Sequence, residues 1–476
     1  MTRKVAVVGG GIAGLAVSYE LIERAERAPG SVEILCLEAS DRPGGNIRTE
    51  REQGFLIEWA ANGFLDSAPA TITLVRRLGL EPLRSRAAAE RRFVFRRGRL
   101  REVPLSPRAF LGSGALSPLG KLRVLAEPLV PRRKPTADEE SVFDFAARRI
   151  GREAASVLVD AMVRGVFAGD ARRLSLEACF PAMRRMETEH GGLFRALLAR
   201  RRTARAGNEG EGEAGGGAGG PAGVLTSFRA GMQQLTDGLA AALGPRLELG
   251  TAVQQISDRG RRGFRLLPAR GAPLDVDAVV VTCPAWRAAP MLESLDRDIA
   301  GALGAIRSAP VTVVHCGYRR DALGALPEGF GFLVPRDQGP RILGALWASD
   351  IFEGRAPAGS LLVTVMAGGA PDPALAELAD DELLQVVRGD LERTMRILVA
   401  PYFVRIIRHE RGIPQHELGH LERLATIERR LGQFPGLWLG GSSLHGVAVN
   451  SCIERAAPLA ESVLEFVAAG ARSAAV

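Results

Sequence analysis

Residues 5–14 read Val-Ala-Val-Val-Gly-Gly-Gly-Ile-Ala-Gly, and no other stretch constrains the fold as tightly. Four apolar residues in a row, three of them β-branched, suit a strand buried on both faces. Gly9-x-Gly11-x-x-Gly14 follows at once and opens a helix predicted over 12–27. The first glycine permits a tight turn, the second lets backbone approach a pyrophosphate, and the third lets helix pack on strand. Free N–H groups and the positive end of the helix dipole then face the anion. Residues 32–37, Val-Glu-Ile-Leu-Cys-Leu, read as a second strand. Glu38 ends it, 24 positions after Gly14, where a carboxylate can accept hydrogen bonds from ribose hydroxyls. The chain therefore begins with a βαβ dinucleotide-binding unit.

At 476 residues the chain is too long for one ordinary domain. Its 46% hydrophobic and 24% charged residues are the balance of a globular protein, which excludes global disorder and a disulfide-stapled miniprotein. Five scattered cysteines, Cys36, Cys179, Cys283, Cys316 and Cys452, have no CxxC spacing. They fit small buried apolar residues in a reducing, cytoplasmic compartment. No leader is expected ahead of the first strand. No run of 18 uncharged apolar residues is present, so no bilayer-spanning helix is expected.

Residues 60–220 read as mostly helical, broken by Pro and Gly. Residues 207–223 hold 9 glycines in 17 positions, the composition of a flexible linker. Strands are predicted at 247–256, 264–267, 278–283, 311–318, 330–335, 342–347, 361–366 and 437–439. Helices are predicted at 376–398 and 450–468. Strands interleaved with helices make the fold class α/β plus α+β.

Arg42, the pair Gly44-Gly45 and Arg48 follow Glu38. Two glycines let the chain pass close to a bulky planar group, and arginines can pair with phosphate. This stretch resembles the FAD-binding segment of the flavin amine oxidase superfamily. Leu437-Trp-Leu-Gly-Gly-Ser-Ser-Leu-His-Gly-Val-Ala-Val-Asn resembles that superfamily's C-terminal flavin-closing element, in which a helix N-terminus faces the pyrimidine end of the flavin ring. Several further tags resemble one branch, the oxygen-dependent protoporphyrinogen oxidases of haem biosynthesis and their coproporphyrinogen-oxidising relatives. They are Glu58-Trp-Ala-Ala-Asn-Gly-Phe-Leu, Glu90-Arg-Arg-Phe-Val-Phe, Gly165-Val-Phe-Ala-Gly-Asp170, Gly329-Phe-Gly-Phe-Leu-Val-Pro335, Leu343-Gly-Ala-Leu346 and Gly412-Ile-Pro-Gln. They stand in family order over nearly the whole chain.

The resemblance implies a discontinuous Rossmann-like FAD-binding domain (1–65, 224–290 and 412–476) and a mixed-sheet substrate domain (66–90 and 291–411). A helical, basic, membrane-associated domain spans 91–202, and a Gly-rich linker spans 203–223. It implies non-covalent FAD held by Gly9, Gly11, Ile12, Ala13, Gly14, Glu38, Ala39, Arg42, Gly44, Gly45 and Arg48. Ala60, Ala61, Asn62 and Gly63, then Val253, His409, Gly440, Gly441, Val447, Ala448 and Val449 complete the cofactor set. Arg92 is implied as a propionate anchor, since a guanidinium binds a carboxylate bidentately; an arginine-rich solvated segment is the alternative. Leu333 and Leu346 are implied to sandwich the macrocycle and Met366 to wall the pocket, against ordinary strand core. Asn62 is implied beside flavin and substrate, and the Gly165 carbonyl is implied to steer the substrate near flavin N5. Flavin N5 does the chemistry, with no catalytic side chain and no metal. His190, His315, His416, His420 and His445 read as surface or core packing. Ala60-Ala61 replaces the family's Gly-Pro, and Ser442 stands where Asn or Asp is common.

The activity implied is oxidation of protoporphyrinogen IX to protoporphyrin IX with O₂ reduced to peroxide, by an enzyme oxidising CH–CH bonds. Coproporphyrinogen III is the alternative substrate, and an amine oxidase or carotenoid desaturase the alternative chemistry. A non-catalytic binder on the same fold is the alternative class. Three tyrosines in all disfavour the aromatic cage of an amine oxidase. Residues 91–134 carry twelve Lys/Arg against Glu102 and Glu127, with leucines interleaved. That pattern suits the headgroup region of an anionic membrane or a solvated basic face. No nucleic-acid reader motif is present. A homodimer and hand-over to the next haem-pathway enzyme stay open as partners, and peripheral attachment to the inner face of the cell membrane stays open as a location.

Overall fold

The computed structural model describes residues 2–27, 32–104, 106–134, 138–206 and 223–473. Two sheets organise them. The first is five-stranded and wholly parallel, in the order Leu247–Glu248, Val32–Leu37, Arg3–Val8, Ala278–Val281, Leu437–Leu439. Its central strand alternates. Val5 and Val7 enter a core with the helices Ile12–Ala25, Gln233–Leu243 and Ala456–Ser473, while Ala6 and Val8 enter a second core on the opposite face. A strand covered on both sides needs apolar residues at every position, which is why Val5–Val8 is unbroken.

The second sheet is seven-stranded and mixed. Its order is Phe403–Pro414, Ser308–Arg319, Ser360–Gly368, Gly344–Trp347, Gly331–Leu333, Arg92–Arg96, Arg99–Glu102. One pair, Gly331–Leu333 with Arg92–Arg96, is parallel; the others are antiparallel. One face presents Phe93, Phe95, Val314, Cys316, Phe332 and Trp347 to the helix Asp380–Met395. The other face turns toward the first sheet, with the strand Phe55–Glu58 laid against it. At Gly317 an added Cβ would stand 2.5 Å from Phe55 Cζ, so the missing side chain makes room for that ring.

Several sequence expectations need correction. Within the segment read as helical, Arg92–Glu102 is a hairpin of the second sheet, not part of a helical domain starting at 91. Its alternation is masked because Arg92, Arg96, Arg99 and Arg101 flank the buried Phe93, Val94 and Phe95. Residues 66–90 do not sit with the second sheet as a block: Leu74 and Val75 of the helix Pro69–Arg77 bury in the core of the parallel sheet. Gly412–Pro414 completes an edge strand of the second sheet rather than opening the cofactor unit. That strand, Phe403–Pro414, carries three Arg and one Glu along an edge, the charge that keeps an edge from pairing with another chain, and so hid from a hydrophobic-run reading. The strand expected at 247–256 breaks at Gly250 (φ +70°). The helix expected at 376–398 is two, because Leu378 and Ala379 are extended before the acidic first turn Asp380-Asp381-Glu382. Of the linker expected at 203–223, residues 203–206 end the helix Leu193–Ala206, and 207–222 lie outside the described residues. All five cysteines are unpaired.

Helices between 107 and 206 form a separate layer on the second sheet. Arg149 and Glu127, both fully buried, pair inside it, and Arg148 joins Glu140 at 2.9 Å and Glu187 at 2.7 Å. Arg96 of the sheet hairpin pairs with Glu153 of this layer. Removing one partner of such a buried pair leaves an uncompensated charge, so the Arg149 and Arg148 pairs hold the layer together and Arg96–Glu153 locks it to the sheet.

Candidate active site

All strands of the parallel sheet run the same way, so their C-terminal ends share one edge, where ligands of open α/β sheets bind. Val8 leads into Gly9–Gly14, Leu37 into Glu38, Val281 into Thr282, and Leu439 into Gly440-Gly441. First and last segments of the chain thus meet at one place. Gly14 is required by packing: a Cβ there would stand 1.8 Å from the Gly9 carbonyl oxygen. Gly11 is not. A Cβ on Gly11 would meet nothing nearer than Gly45 Cα at 4.0 Å, and its φ of −74° suits any residue. The fold leaves a cradle at Gly11 that a side chain would fill. Gly44 N donates to Gly10 O at 2.8 Å and Gly11 bridges Gly44, so two glycine segments form adjoining bare backbone. The helix Ile12–Ala25 begins at Gly11 with no capping side chain, leaving its first N–H groups for an anion. Glu38 turns into this edge, accepting from Gly10 N at 2.5 Å and from Ser40 N at 2.9 Å. These features fit a dinucleotide.

The other expected cofactor residues sit around the same edge. Arg42 curls over its own loop, donating to Gly45 O at 2.6 Å and Pro43 O at 3.1 Å. Arg48 pairs with Glu50 at 2.5 Å and lies over the Trp59 ring at 4.1 Å. Ala39 follows Glu38, and Thr251 N donates to Glu38 O at 2.8 Å; Val253 starts the strand two residues later. Gly440 N donates to Val281 O at 2.8 Å, and Gly441 has φ +94°. Val447 packs with Phe167 and Phe180, Ala448 is the N-cap of the helix Val449–Glu454, and Val449 packs into the parallel-sheet core.

The expected substrate residues share one face of the second sheet. Cross-strand pairing aligns Val94, Leu333, Gly344, Met366, Val313 and Ile407 in one row. The next row is Arg92, Gly331, Leu346, Thr364, His315 and Arg405. Paired residues point to the same side. Arg92, Leu333, Leu346 and Met366, scattered over 275 positions of chain, therefore line a single surface. Gly165 lies directly on it, since an added Cβ would come within 2.3 Å of Leu333 Cδ2. The Arg92 guanidinium stands over the Phe330 ring at 5.2 Å and makes no ion pair with a carboxylate among the described residues.

Residues 58–63 bridge the two sheets. His315 Nε2 donates to Glu58 O at 3.1 Å, and His409 Nε2 donates to Trp59 O at 2.8 Å. The Glu58 carboxylate accepts from Met232 N at 2.8 Å and Thr49 Oγ1 at 2.7 Å, with Arg355 Nη1 at 3.5 Å. Burial pushes this carboxyl up to about 7, the arginine and the two hydrogen bonds opposing the shift. A small enclosed cavity there is lined by Glu58, Asn62, His315, Arg355 and Thr364. Asn62 thus reaches the sheet face that carries Thr364 and Leu346, Ala60 and Ala61 lead into it, and Gly63 packs against the strand Leu225–Ser227, where an added Cβ would stand 2.6 Å from Thr226 O. Sequence reasoning missed Glu58 and Arg355 as parts of the site. The available signal was an acid closing the apolar run Phe55-Leu-Ile. It also took His315 for packing alone.

A model of the family described as "Flavin containing amine oxidoreductase" matches residues 12–464. The chain belongs to that family. It is a flavoprotein, and its cofactor is FAD. The chain is 32% identical to the chloroplastic protoporphyrinogen oxidase of Oryza sativa subsp. japonica, over 97% of this chain and 88% of that one. It is 28% identical to the coproporphyrinogen III oxidase of Bacillus subtilis (strain 168), over 98% of each. Among solved structures, a provisionally assigned protoporphyrinogen oxidase from Exiguobacterium sp. 255-15 superimposes with a TM-score of 0.79 at 25% identity, covering 97% of this chain and 99% of that one. The flavin amine oxidase fold accounts for both sheets.

Two buried imidazoles give a pH prediction. Burial holds His315 and His416 at about 4, below their ordinary 6.5. Each then contributes stability that is complete above pH 6.5 and lost as pH falls through 4, roughly 3 kcal/mol per group. Thermal midpoints measured from pH 7 to pH 4 should fall, and fall less in His416→Gln than in the wild type. Identical pH profiles for the two proteins would contradict this reading of His416.

Proposed function

We propose that the protein oxidises a porphyrinogen to the porphyrin with FAD and O₂. Support comes from kinship with a protoporphyrinogen oxidase along 97% of the chain, joined to an apolar sheet face that ends in an arginine without a carboxylate partner among the described residues. Held by Gly9–Gly14, Glu38 and Gly440-Gly441, FAD would supply the two-electron redox chemistry, with a bridging carbon of the substrate as hydride donor and O₂ as final acceptor. Aromatising the ring takes six electrons, so three O₂ become three H₂O₂ per porphyrin formed. Protein side chains then have positional work. Leu333, Leu346 and Met366 offer apolar surface to a large disc and exclude water from it. The Arg92 fork holds a propionate, and Gly165 admits the ring edge close to backbone. Glu58, His315 and His409 fix the strand of chain that ends in Asn62. Protoporphyrinogen IX is the substrate favoured by the rice relative. Coproporphyrinogen III is the second reading, favoured by the Bacillus relative, which matches 98% of both chains.

The test is a fluorescence assay on both porphyrinogens, with and without O₂. Porphyrin fluorescence should rise only in air, with about three peroxides per porphyrin; no O₂-dependent rise with either substrate would contradict the proposal. Arg92→Ala should raise KM about tenfold, the effect of losing a charge-assisted pair, and leave kcat within about twofold. An unchanged KM would place the carboxylate anchor elsewhere.

A membrane surface is the proposed partner. Among the described residues no helix is long and apolar enough to cross a bilayer. Leu119, Leu122 and Leu129 are 78%, 64% and 84% exposed around the short helix Pro118–Leu125, with Leu111 and Leu125 beside them. The basic flank is thinner than the sequence suggests, because Arg96 is buried against Glu153, Arg91 pairs with Glu102, and Arg123 donates to Arg148 O and Arg149 O. Exposed leucines, with Lys121 among them, carry the reading. Replacing Leu119, Leu122 and Leu129 by Ser should lower co-sedimentation with anionic vesicles severalfold without changing turnover of detergent-dispersed substrate. Equal sedimentation of the two proteins would overturn it.

A further inference from the structure

Four of the six histidines make the same contact. His315 and His409 donate to the carbonyls of Glu58 and Trp59; His416 Nε2 lies 3.2 Å from Ser442 O, and His420 Nε2 lies 3.1 Å from Leu444 O. We propose that His416 and His420 are positioning residues that hold the loop 442–448 in its flavin-closing conformation by donating Nε2–H to two of its carbonyls. This rests on the reading that the loop closes over the cofactor.

A carbonyl oxygen only accepts, so each Nε2 must carry the hydrogen. The two rings stack with centroids 4.2 Å apart and planes 21° apart, and both residues are at most 1% exposed. The loop lies between the strand Leu437–Leu439 and the helix Val449–Glu454 and has no ladder or helical hydrogen bonds of its own over 442–446. Further ties there are Ser443 Oγ, which accepts from Ala285 N at 3.0 Å, and a turn bond from Leu444 N to Gly441 O at 3.2 Å. Ser442 O and Leu444 O are thus fastened on either side of Ser443, from an element outside the loop. The groups around the stack are His445, Arg423 and Glu139, whose carboxylate accepts from Gly419 N. A buried acceptor left without its donor costs more than the bond contributes, and water has no access to fully buried rings. Val447 and Ala448, which follow directly, inherit their position from this pair.

The experiment uses the holoenzyme with FAD as probe. His416→Leu and His420→Leu keep side-chain volume and delete the donor; His416→Gln and His420→Gln keep an N–H at the same reach. FAD retention on dilution and the visible flavin spectrum are measured. The Leu variants should release FAD at least about tenfold more readily and shift the flavin band, whereas the Gln variants should stay within about threefold of wild type. Leu variants that behave like the Gln variants would overturn the proposal. If a Leu variant does not fold, ¹⁵N-histidine spectra of the wild-type holoenzyme decide: both rings must show the Nε2–H tautomer, and an Nδ1–H tautomer in either overturns it. Ala448→Glu separates the two layers. If it leaves FAD retention and spectrum unchanged, the loop does not face the flavin; if it acts and the Leu variants do not, the histidine pair alone fails.

Discussion

The structure depends on one close approach, that of the helix Ile12–Ala25 to the central strand of the parallel sheet. It is possible because Gly14 has no Cβ to strike the Gly9 carbonyl 1.8 Å away. Bringing the helix that near aims its unpaired N–H groups across the ends of the neighbouring strands. Glu38, Thr282 and Gly440-Gly441 arrive at the same edge because every strand is parallel. A site assembled from residues 9–48 and 440–449 is therefore a consequence of strand direction.

Chemistry requires that this edge face something, and the second sheet supplies it. Its alternation gives one face to an internal helix core and the other to Arg92, Leu333, Leu346 and Met366. The join between sheets is polar. Imidazole donors on the second sheet grip the backbone at 58–59, and the buried Glu58 with Arg355 ties that segment to Met232, Ser227 and Phe228. Such groups are costly to bury unless each finds partners, so they fix the relative register of the two sheets more sharply than apolar contact does.

The cofactor half was legible in the sequence because its determinants are local: strand, glycine spacing, helix and terminal acid lie within 34 residues of one another, from Val5 to Glu38. The strand Leu437–Leu439 was legible for the same reason. Substrate residues could be named only through resemblance, since Arg92 and Leu346 become neighbours through pairing with Gly331, far away in the chain. The hairpin at 92–102 was hidden by its arginines, and the edge strand 403–414 by its charges. Arg355 and the carbonyl-gripping His315, His416 and His420 were illegible as site residues, because a buried polar group declares itself only once its partners from distant segments are in place.

The central claim is that bare backbone at Gly11 is kept for FAD and not for the fold. The flavin-to-protein absorbance ratio of Gly11→Val against wild type tests it most directly. The account predicts one FAD per wild-type chain, and below about a tenth of that in Gly11→Val, with the variant melting as the FAD-free wild type does, since its nearest neighbour would be 4.0 Å from the new Cβ. A Gly11→Val protein that stays fully yellow, or a colourless wild type that added FAD cannot reconstitute, would contradict it.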